Sequence, residues 1–251
     1  MRKDPLRVFF LFCYILFHMQ FALFSNFPQL RYGISDRHDG SMKLVGDGSA
    51  VRDARATYFA KENIDSDRIV SAGLVHGKCV ERIVFVDGGN TFQETDGFVT
   101  RDPNTFLSVT VADCIPVYFF DPIHDVVGIV HAGWRGVVGG IVPEMIRVMK
   151  TDHDSDSSDI LVGIGPSIQK CHFEITGEIR DQFDIDVIEE RDGKLFVDLS
   201  KMLVRQLHEV GVTQIEDSGI CTFCHPDRYF SYRRDKPAQI EAMVAWIGLD
   251  K

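Results

Sequence analysis

The sequence predicts a mixed α+β domain, and three observations carry that reading. Short apolar runs rich in β-branched residues recur at 110–121, 127–132, 160–164 and 242–249, each bounded by glycine, proline or acidic turns, as buried strands are. Helical spacing places Leu199, Leu203, Leu207 and Val210 on one face, and Ile141, Val142, Met145, Ile146 and Met149 on another. Strands and helices are interspersed without strict βαβ alternation, which favours α+β over a parallel α/β sheet. With 251 residues and 45% apolar content, the chain can bury a sizeable core.

Taken in order, residues 1–7 are basic and 8–24 almost wholly apolar. Residues 1–20 read either as an apolar leader, signal or anchor, or as an over-extended start with Met19 as the true first residue. The domain is expected over 21–251. Residues 21–35 read as a strand, a turn at Pro28 and a second strand, followed by Arg37 in the polar turn DRHDGS. Residues 49–62 suit a helix preceded by Asp47 and Gly48. A weakly alternating stretch, 69–75, ends at His76; 80–86 reads as a strand closed by DGGN, and TDGFVT (95–100) as a turn into a short strand. A helix follows Gly136, and Pro143 is tolerable only in its first turn, so that helix starts late. The acidic, serine-rich 151–159 is the best linker candidate but too short for a domain boundary. Helices are expected over 177–184 and 198–210, the second with Asp198 as N-cap and Gly211 as its stop. Residues 220–235 are rich in aromatics and arginines, and 242–249 close the chain as an apolar strand.

Composition bounds the function. A formal net charge of −10 gives no electrostatic reason to expect nucleic acid or an acidic membrane surface. Six cysteines in a chain this long and apolar need no disulfide staples, which favours reduced thiols in a cytoplasmic setting.

The chemistry concentrates at strand ends. VGIVHAGWRG (127–136) delivers His131 to the end of a buried strand; Cys114 ends a second in TVADCIPV, and His76 follows a third in LVHG. A thiolate and two imidazoles are an accepted three-ligand set for a catalytic zinc with one position open. The residual charge on such an ion acidifies water or polarises a substrate oxygen. Taken singly, each of the three reads better as a buried thiol or a histidine capped in a turn, and spacing alone does not make a zinc site. A second functional reading makes Cys114 a nucleophile and His131 its base. Asp113 is either an acceptor orienting one histidine or a turn residue capping backbone amides. Arg135 either binds phosphate or a carboxylate, or stacks on Trp134 at the surface. Of Arg233 and Arg234, one is expected to point to a site and the other to Asp235. Cys221 and Cys224 form CTFC, but no second CxxC pair completes a zinc ribbon, so the pair reads as structural with His225 facing solvent. GIGPS and DGGN fit neither a dinucleotide-binding nor a P-loop pattern.

In order and spacing, VHG, TVADCIPV, VHAGWRG, GIGPSI and CTFCHPDRYFSYRRD resemble the YfiH/YlmD family, over roughly 21–249. The family carries two labels, polyphenol oxidase (laccase) domain and purine nucleoside phosphorylase. The resemblance implies an α+β fold of two packed mixed β-sheets flanked by helices in a single, YfiH-like domain. It implies zinc held by His76, Cys114 and His131, with copper ranked below zinc because nine histidines include no HxH pair. The implied activities are phosphorolysis of adenosine, inosine, guanosine and methylthioadenosine, and deamination of adenosine. Arg37, Arg135 and Arg233 are the implied phosphate and substrate contacts, and Cys114, Asp113 and Arg135 the catalytic candidates, with Asp113 a candidate acid. Two alternatives stand beside it: a phenol oxidase, and a hydrolase editing peptidoglycan precursors. The resemblance is weakest at the N-terminal loop, where the family's STRxGG and SLNLG are replaced by ISDRHDGSMKLVGD. Arg37 is kept there, but Asp39 replaces a glycine, Lys43 the asparagine, and Leu74 the glutamine before VHG.

Overall fold

A computed structural model describes residues 19–43, 49–83 and 89–250. The elements run β1 (Leu30–Ile34), α1 (Ser49–Lys61), β2 (Ile69–Gly73), β3 (Val80–Arg82), β4 (Thr91–Gln93), β5 (Gly97–Thr100), β6 (Phe106–Val111), β7 (Ile115–Asp121) and β8 (Val126–Ala132). They continue as α2 (Trp134–Gly139), α3 (Ile141–His153), β9 (Leu161–Ile164), β10 (Glu174–Ile175), β11 (Ile188–Arg191), β12 (Lys194–Val197), α4 (Leu199–Glu209), β13 (Gln214–Asp217), α5 (Tyr232–Asp235) and β14 (Met243–Leu249). A five-stranded sheet, β1-β14-β6-β2-β4, faces a six-stranded one, β13-β9-β7-β8-β5-β3, and a three-stranded sheet, β10-β12-β11, lies to one side. Both large sheets mix parallel and antiparallel pairs.

Strand periodicity decides which face each side chain covers. On β7, Tyr118 and Phe120 join Leu107, Val109, Ala245 and Ile247 between the two sheets, while Val117 and Phe119 face the helices α3 and α4. The outer face of the five-stranded sheet is covered by α1, through Tyr58 and Phe59 against Phe106 and Trp246. Every residue of β6, β7 and β8 is buried, which explains their near-continuous apolar sequence.

Helix punctuation follows the sequence. Pro143 is the third residue of α3, within its first turn. The Asp198 side chain accepts from the Lys201 N–H at the start of α4, and Gly211, at φ +92°, ends the segment. Three expectations are corrected. Residues 21–27 hold a 3₁₀ turn at Ala22–Phe24 in place of a strand, because both Phe21 and Phe24 must reach the core and a spacing of three puts them on one side. Residues 177–182 are 3₁₀ and not α-helical, with only Ile179 and Phe183 in contact with the core. The stretch 151–159 is no linker: it finishes α3 and buries His153, Ser155 and Ser157. The expected strand over 80–86 is described as far as Arg82, since 84–88 lie outside the described residues, as do 1–18. Among the described residues no helix is long and apolar enough to cross a membrane.

Phe21 packs its ring against the backbone of Gly163 on β9, where a Cβ would lie 2.5 Å from ring carbon Cε2. Phe21→Ala should therefore destabilise the chain by about 3–5 kcal/mol, read by denaturant unfolding. A change below about 1 kcal/mol would show that the domain's packed core starts after this residue.

Candidate metal centre

The register of the six-stranded sheet assembles the centre. β7 and β8 pair Ile115 with Ala132 and Pro116 with His131, so Cys114, one step before Ile115, meets Gly133, one step after Ala132. β5 and β8 pair Gly97 with Val130, which sets Asp96 opposite His131. The His131 N–H donates to the Asp96 carbonyl at 2.7 Å. His76 arrives from the other sheet, on the crossover from β2 to β3, with a left-handed backbone at φ +59°. The donor atoms of His76, Cys114 and His131 all lie within 4.8 Å of one another. The two imidazoles stand edge to face, 4.8 Å between centroids at 90°.

One buried carboxylate fixes both histidines. Asp96 Oδ1 accepts from His131 Nδ1 at 3.0 Å and from the His76 backbone N–H at 2.9 Å, and Oδ2 accepts from the Gly77 N–H at 2.7 Å. With Nδ1 engaged, Nε2 is the His131 nitrogen left for a cation. Burial works to raise the Asp96 pKa, but the bonds from His131, Gly77 and His76 prevail and hold it below the usual range. Burial likewise works to raise the Cys114 pKa, yet the His131 charge and bonds from both histidines bring it down to about 6. His131 moves the other way, up to about 9, because the Cys114 charge and Asp96 outweigh its own burial. The pair is thereby a thiolate beside an imidazolium, and a cation binding at Nε2 takes the place of the His131 proton.

Gly133 accounts for the glycine after HA. A Cβ there would lie 3.1 Å from His76 Cδ2, 3.3 Å from Cys114 Sγ and 3.5 Å from His131 Cε1, crowding all three candidate ligands at once. Gly136 has a separate reason: its Cβ would meet the Gly77 carbonyl at 2.8 Å, so α2 can approach the VHG loop only with glycine there. His131 is buried, Cys114 half-buried and His76 exposed, which leaves the cluster open on the His76 side. Two nitrogens and one sulfur converging on a Cβ-free space, with one open face, suit a borderline-soft divalent ion.

The chain matches, over residues 31–250, the family described as multi-copper polyphenol oxidoreductase laccase. It belongs to that family. Among its relatives, it is 32% identical to the purine nucleoside phosphorylase YfiH of Escherichia coli over 78% of this chain and 81% of that one. It is 31% identical to the purine nucleoside phosphorylase YlmD of Bacillus subtilis over 74% and 73%. The crystal structure of YlmD from Geobacillus stearothermophilus superposes with a TM-score of 0.84 at 29% identity, covering 90% of this chain and 94% of that one. The Bacillus licheniformis YfiH structure gives 0.83 at 27% identity, covering 88% and 93%. The fold of two packed mixed sheets with flanking helices is that of these proteins.

The other candidate residues lie around the centre with different partners. Asp113 does not reach a histidine: its carboxylate accepts from Thr222 Oγ1 at 2.6 Å and from the Arg233 N–H at 2.7 Å, so it anchors the SYRRD loop. Those bonds also occupy the oxygens it would use as an acid. The histidine-orienting role expected of Asp113 falls to Asp96, which in TDGF reads as a turn residue. The sequence shows only an acid heading the short apolar run GFVT, and the pairing of that strand with the histidine strand comes from the register. Arg37 pairs with Asp235 at 2.5 Å and donates to the Pro226 carbonyl. Arg233 donates from Nη1 to the Glu174 carbonyl at 2.7 Å, and Arg234 pairs with Asp235. Arg135 is exposed, its guanidinium 4.4 Å from the centroid of Trp134, as in the stacked alternative.

Asp96→Asn should weaken metal binding by about 10–100-fold, measured by competition with a chromophoric chelator, because the histidines lose their orienting charge. Unchanged affinity would mean that the sheet alone sets the ring positions. Gly133→Ala should weaken binding as well, and a substituted chain that still binds like wild type would remove the steric reading of that glycine.

Proposed function

We propose that the chain is a zinc-dependent purine nucleoside phosphorylase, cleaving adenosine, inosine, guanosine and methylthioadenosine, with adenosine deaminase activity. The observation that carries the reading is the convergence of His76, Cys114 and His131 around Gly133 with an open face. The names of the relatives support the reaction class. In phosphorolysis an oxygen of hydrogen phosphate bonds to the ribose C1′ as the C1′–N9 bond breaks, and the purine leaves with the proton that the phosphate gives up. In deamination a water oxygen bonds to C6 and the 6-amino group leaves as ammonia.

A zinc ion held by His76, Cys114 and His131 would supply Lewis-acid polarisation of a substrate oxygen or of water. Asp96 fixes the His131 ring and the VHG backbone, so the donors need no rearrangement on binding. Arg135 is the proposed phosphate contact, since stacking on Trp134 engages the face of its guanidinium and not its N–H donors, while the donors of Arg37 and Arg233 serve a carboxylate and a carbonyl. We further propose a folded unit over 21–251 and a cytoplasmic setting in which Cys79, Cys114, Cys171, Cys221 and Cys224, all free thiols, stay reduced.

Two other readings share this geometry. Asp96, His131 and Cys114 are ordered like an orienting acid, a base and a nucleophile. A Cys–His dyad gives no role to His76, whose exposed imidazole completes a ligand set, and that favours the metal. A His₂Cys set also suits copper, and the family name points there. Zinc is preferred because a multicopper oxidase needs further histidine-rich clusters, and the described residues form only one other potential metal group.

Cys114→Ala should abolish hypoxanthine release from inosine in phosphate buffer and lose the ion from this site. Full nucleoside cleavage by that variant would overturn the proposal. Wild-type protein oxidising phenols on copper addition, with no nucleoside cleavage, would put the oxidase reading in its place. Arg135→Ala should raise the KM for phosphate by about tenfold, the size of one lost charge-assisted contact, with kcat less affected. Unchanged phosphate dependence would remove Arg135 from that role.

A further inference from the structure

We infer that Cys171, His172, Cys221 and Cys224 form a second zinc site, structural in kind and independent of the first. CTFC has no CxxC partner in the sequence, but the fold supplies its other half as an adjacent Cys-His pair on the loop that follows β9. The four donor atoms lie within 4.8 Å of one another. His172 Nδ1 is 3.2 Å from Cys171 Sγ, 3.4 Å from Cys224 Sγ and 3.9 Å from Cys221 Sγ, and the sulfurs of Cys171 and Cys224 are 3.8 Å apart. Donors on a tetrahedral zinc, with Zn–S near 2.3 Å and Zn–N near 2.0–2.1 Å, are separated by about 3.5–3.8 Å. Four of the six edges, at 3.2–3.9 Å, bracket that spacing, and the other two are within 4.8 Å, so a zinc ion needs only small side-chain adjustments here.

Three surrounding features belong with a metal. The His172 ring is held in one plane by stacking on Phe223, 3.9 Å between centroids at 13°. The Cys224 N–H donates to the Cys221 carbonyl at 3.2 Å, closing the tight turn that carries both sulfurs of CTFC. Three thiolates around Zn²⁺ leave a net negative charge, and the Arg191 guanidinium is bonded at 2.6 Å to the Lys170 carbonyl, beside Cys171. Four protein donors close the coordination shell, so the ion would have no open position for substrate.

The site would staple two loops together. Backbone bonds already join them: Ser167 N–H to the Ile220 carbonyl at 3.1 Å and Thr222 N–H to the Ser167 carbonyl at 3.0 Å. Both loops end on Asp113, through the Ile168 N–H on its carbonyl and Thr222 and the Arg233 N–H on its carboxylate. The second ion would therefore hold the wall on which Cys114 stands, without touching substrate.

The test counts zinc per chain by elemental analysis on full-length protein purified anaerobically with reductant and desalted from excess zinc. Cys114→Ala should retain one zinc per chain, and adding Cys171→Ser and Cys224→Ser should reduce it to none. Cobalt-loaded Cys114→Ala should show thiolate-to-cobalt charge transfer of the intensity given by three sulfurs and the visible bands of a tetrahedral ion. Should Cys114→Ala not fold, the count is taken on Cys171→Ser, expected to hold one zinc fewer than wild type. A metal-free Cys114→Ala chain, an unchanged count on removing Cys171 and Cys224, or a Cys171–Cys224 disulfide in the anaerobic protein would overturn the inference.

Discussion

The centre depends on one carboxylate. Asp96 has no solvent exposure, and its two oxygens take three bonds: one from an imidazole and two from consecutive backbone amides of a loop of the opposite sheet. Bonds to a charged acceptor contribute about 1.5–3 kcal/mol each, and leaving their donors unpaired in the interior costs a similar amount. This single side chain therefore does two things that the sheets alone do not. It selects the ring nitrogen that His131 presents, and it pulls the VHG loop across the gap between sheets so that His76 reaches the same space. The left-handed backbone of His76 is held by that same pull.

Around that anchor the geometry follows from register. A one-residue slip between β7 and β8 would move Cys114 away from Gly133 and turn His131 to the opposite face. The buried Tyr118, Phe120, Val127 and Ile129 make such a slip costly, because it would exchange the inter-sheet face for the helix face along the whole strand. The two large sheets thus specify the centre indirectly: their core packing fixes pairing, pairing fixes the strand ends, and the donors sit at those ends. The absence of a side chain at Gly133 matters as much as the presence of the three donors.

Much of this was legible in the sequence, and for identifiable reasons. Strands with long apolar runs and helices with clean amphipathic spacing, such as α3 and α4, are decided locally, and they lie where periodicity predicts. His76, Cys114 and His131 stood out because chemistry-bearing residues ended apolar runs, the two histidines within two residues of a glycine. Asp96 did not, because TDG is also a common turn and only strand pairing shows that it faces His131. The same limit hid the partners of CTFC: Cys171 lies 53 residues from Cys224, and an adjacent Cys-His pair has no ligand-like spacing of its own. Arg37 and Arg233 were chosen for charge, and their partners, Asp235 and the Glu174 carbonyl, come from distant segments that no local pattern connects. At the N-terminus an apolar run with two aromatics three apart suits a strand as well as a 3₁₀ turn, and the demand that both rings be buried settled it.

The central claim is that His76, Cys114 and His131 bind one ion together. Diffraction data from zinc-loaded crystals on both sides of the zinc absorption edge test it most directly. An anomalous peak is expected beside Gly133, about 2.0–2.1 Å from a nitrogen of each histidine and about 2.3 Å from the Cys114 sulfur. No such peak in crystals grown with excess zinc, or a peak bonded to only one of the three, would contradict it.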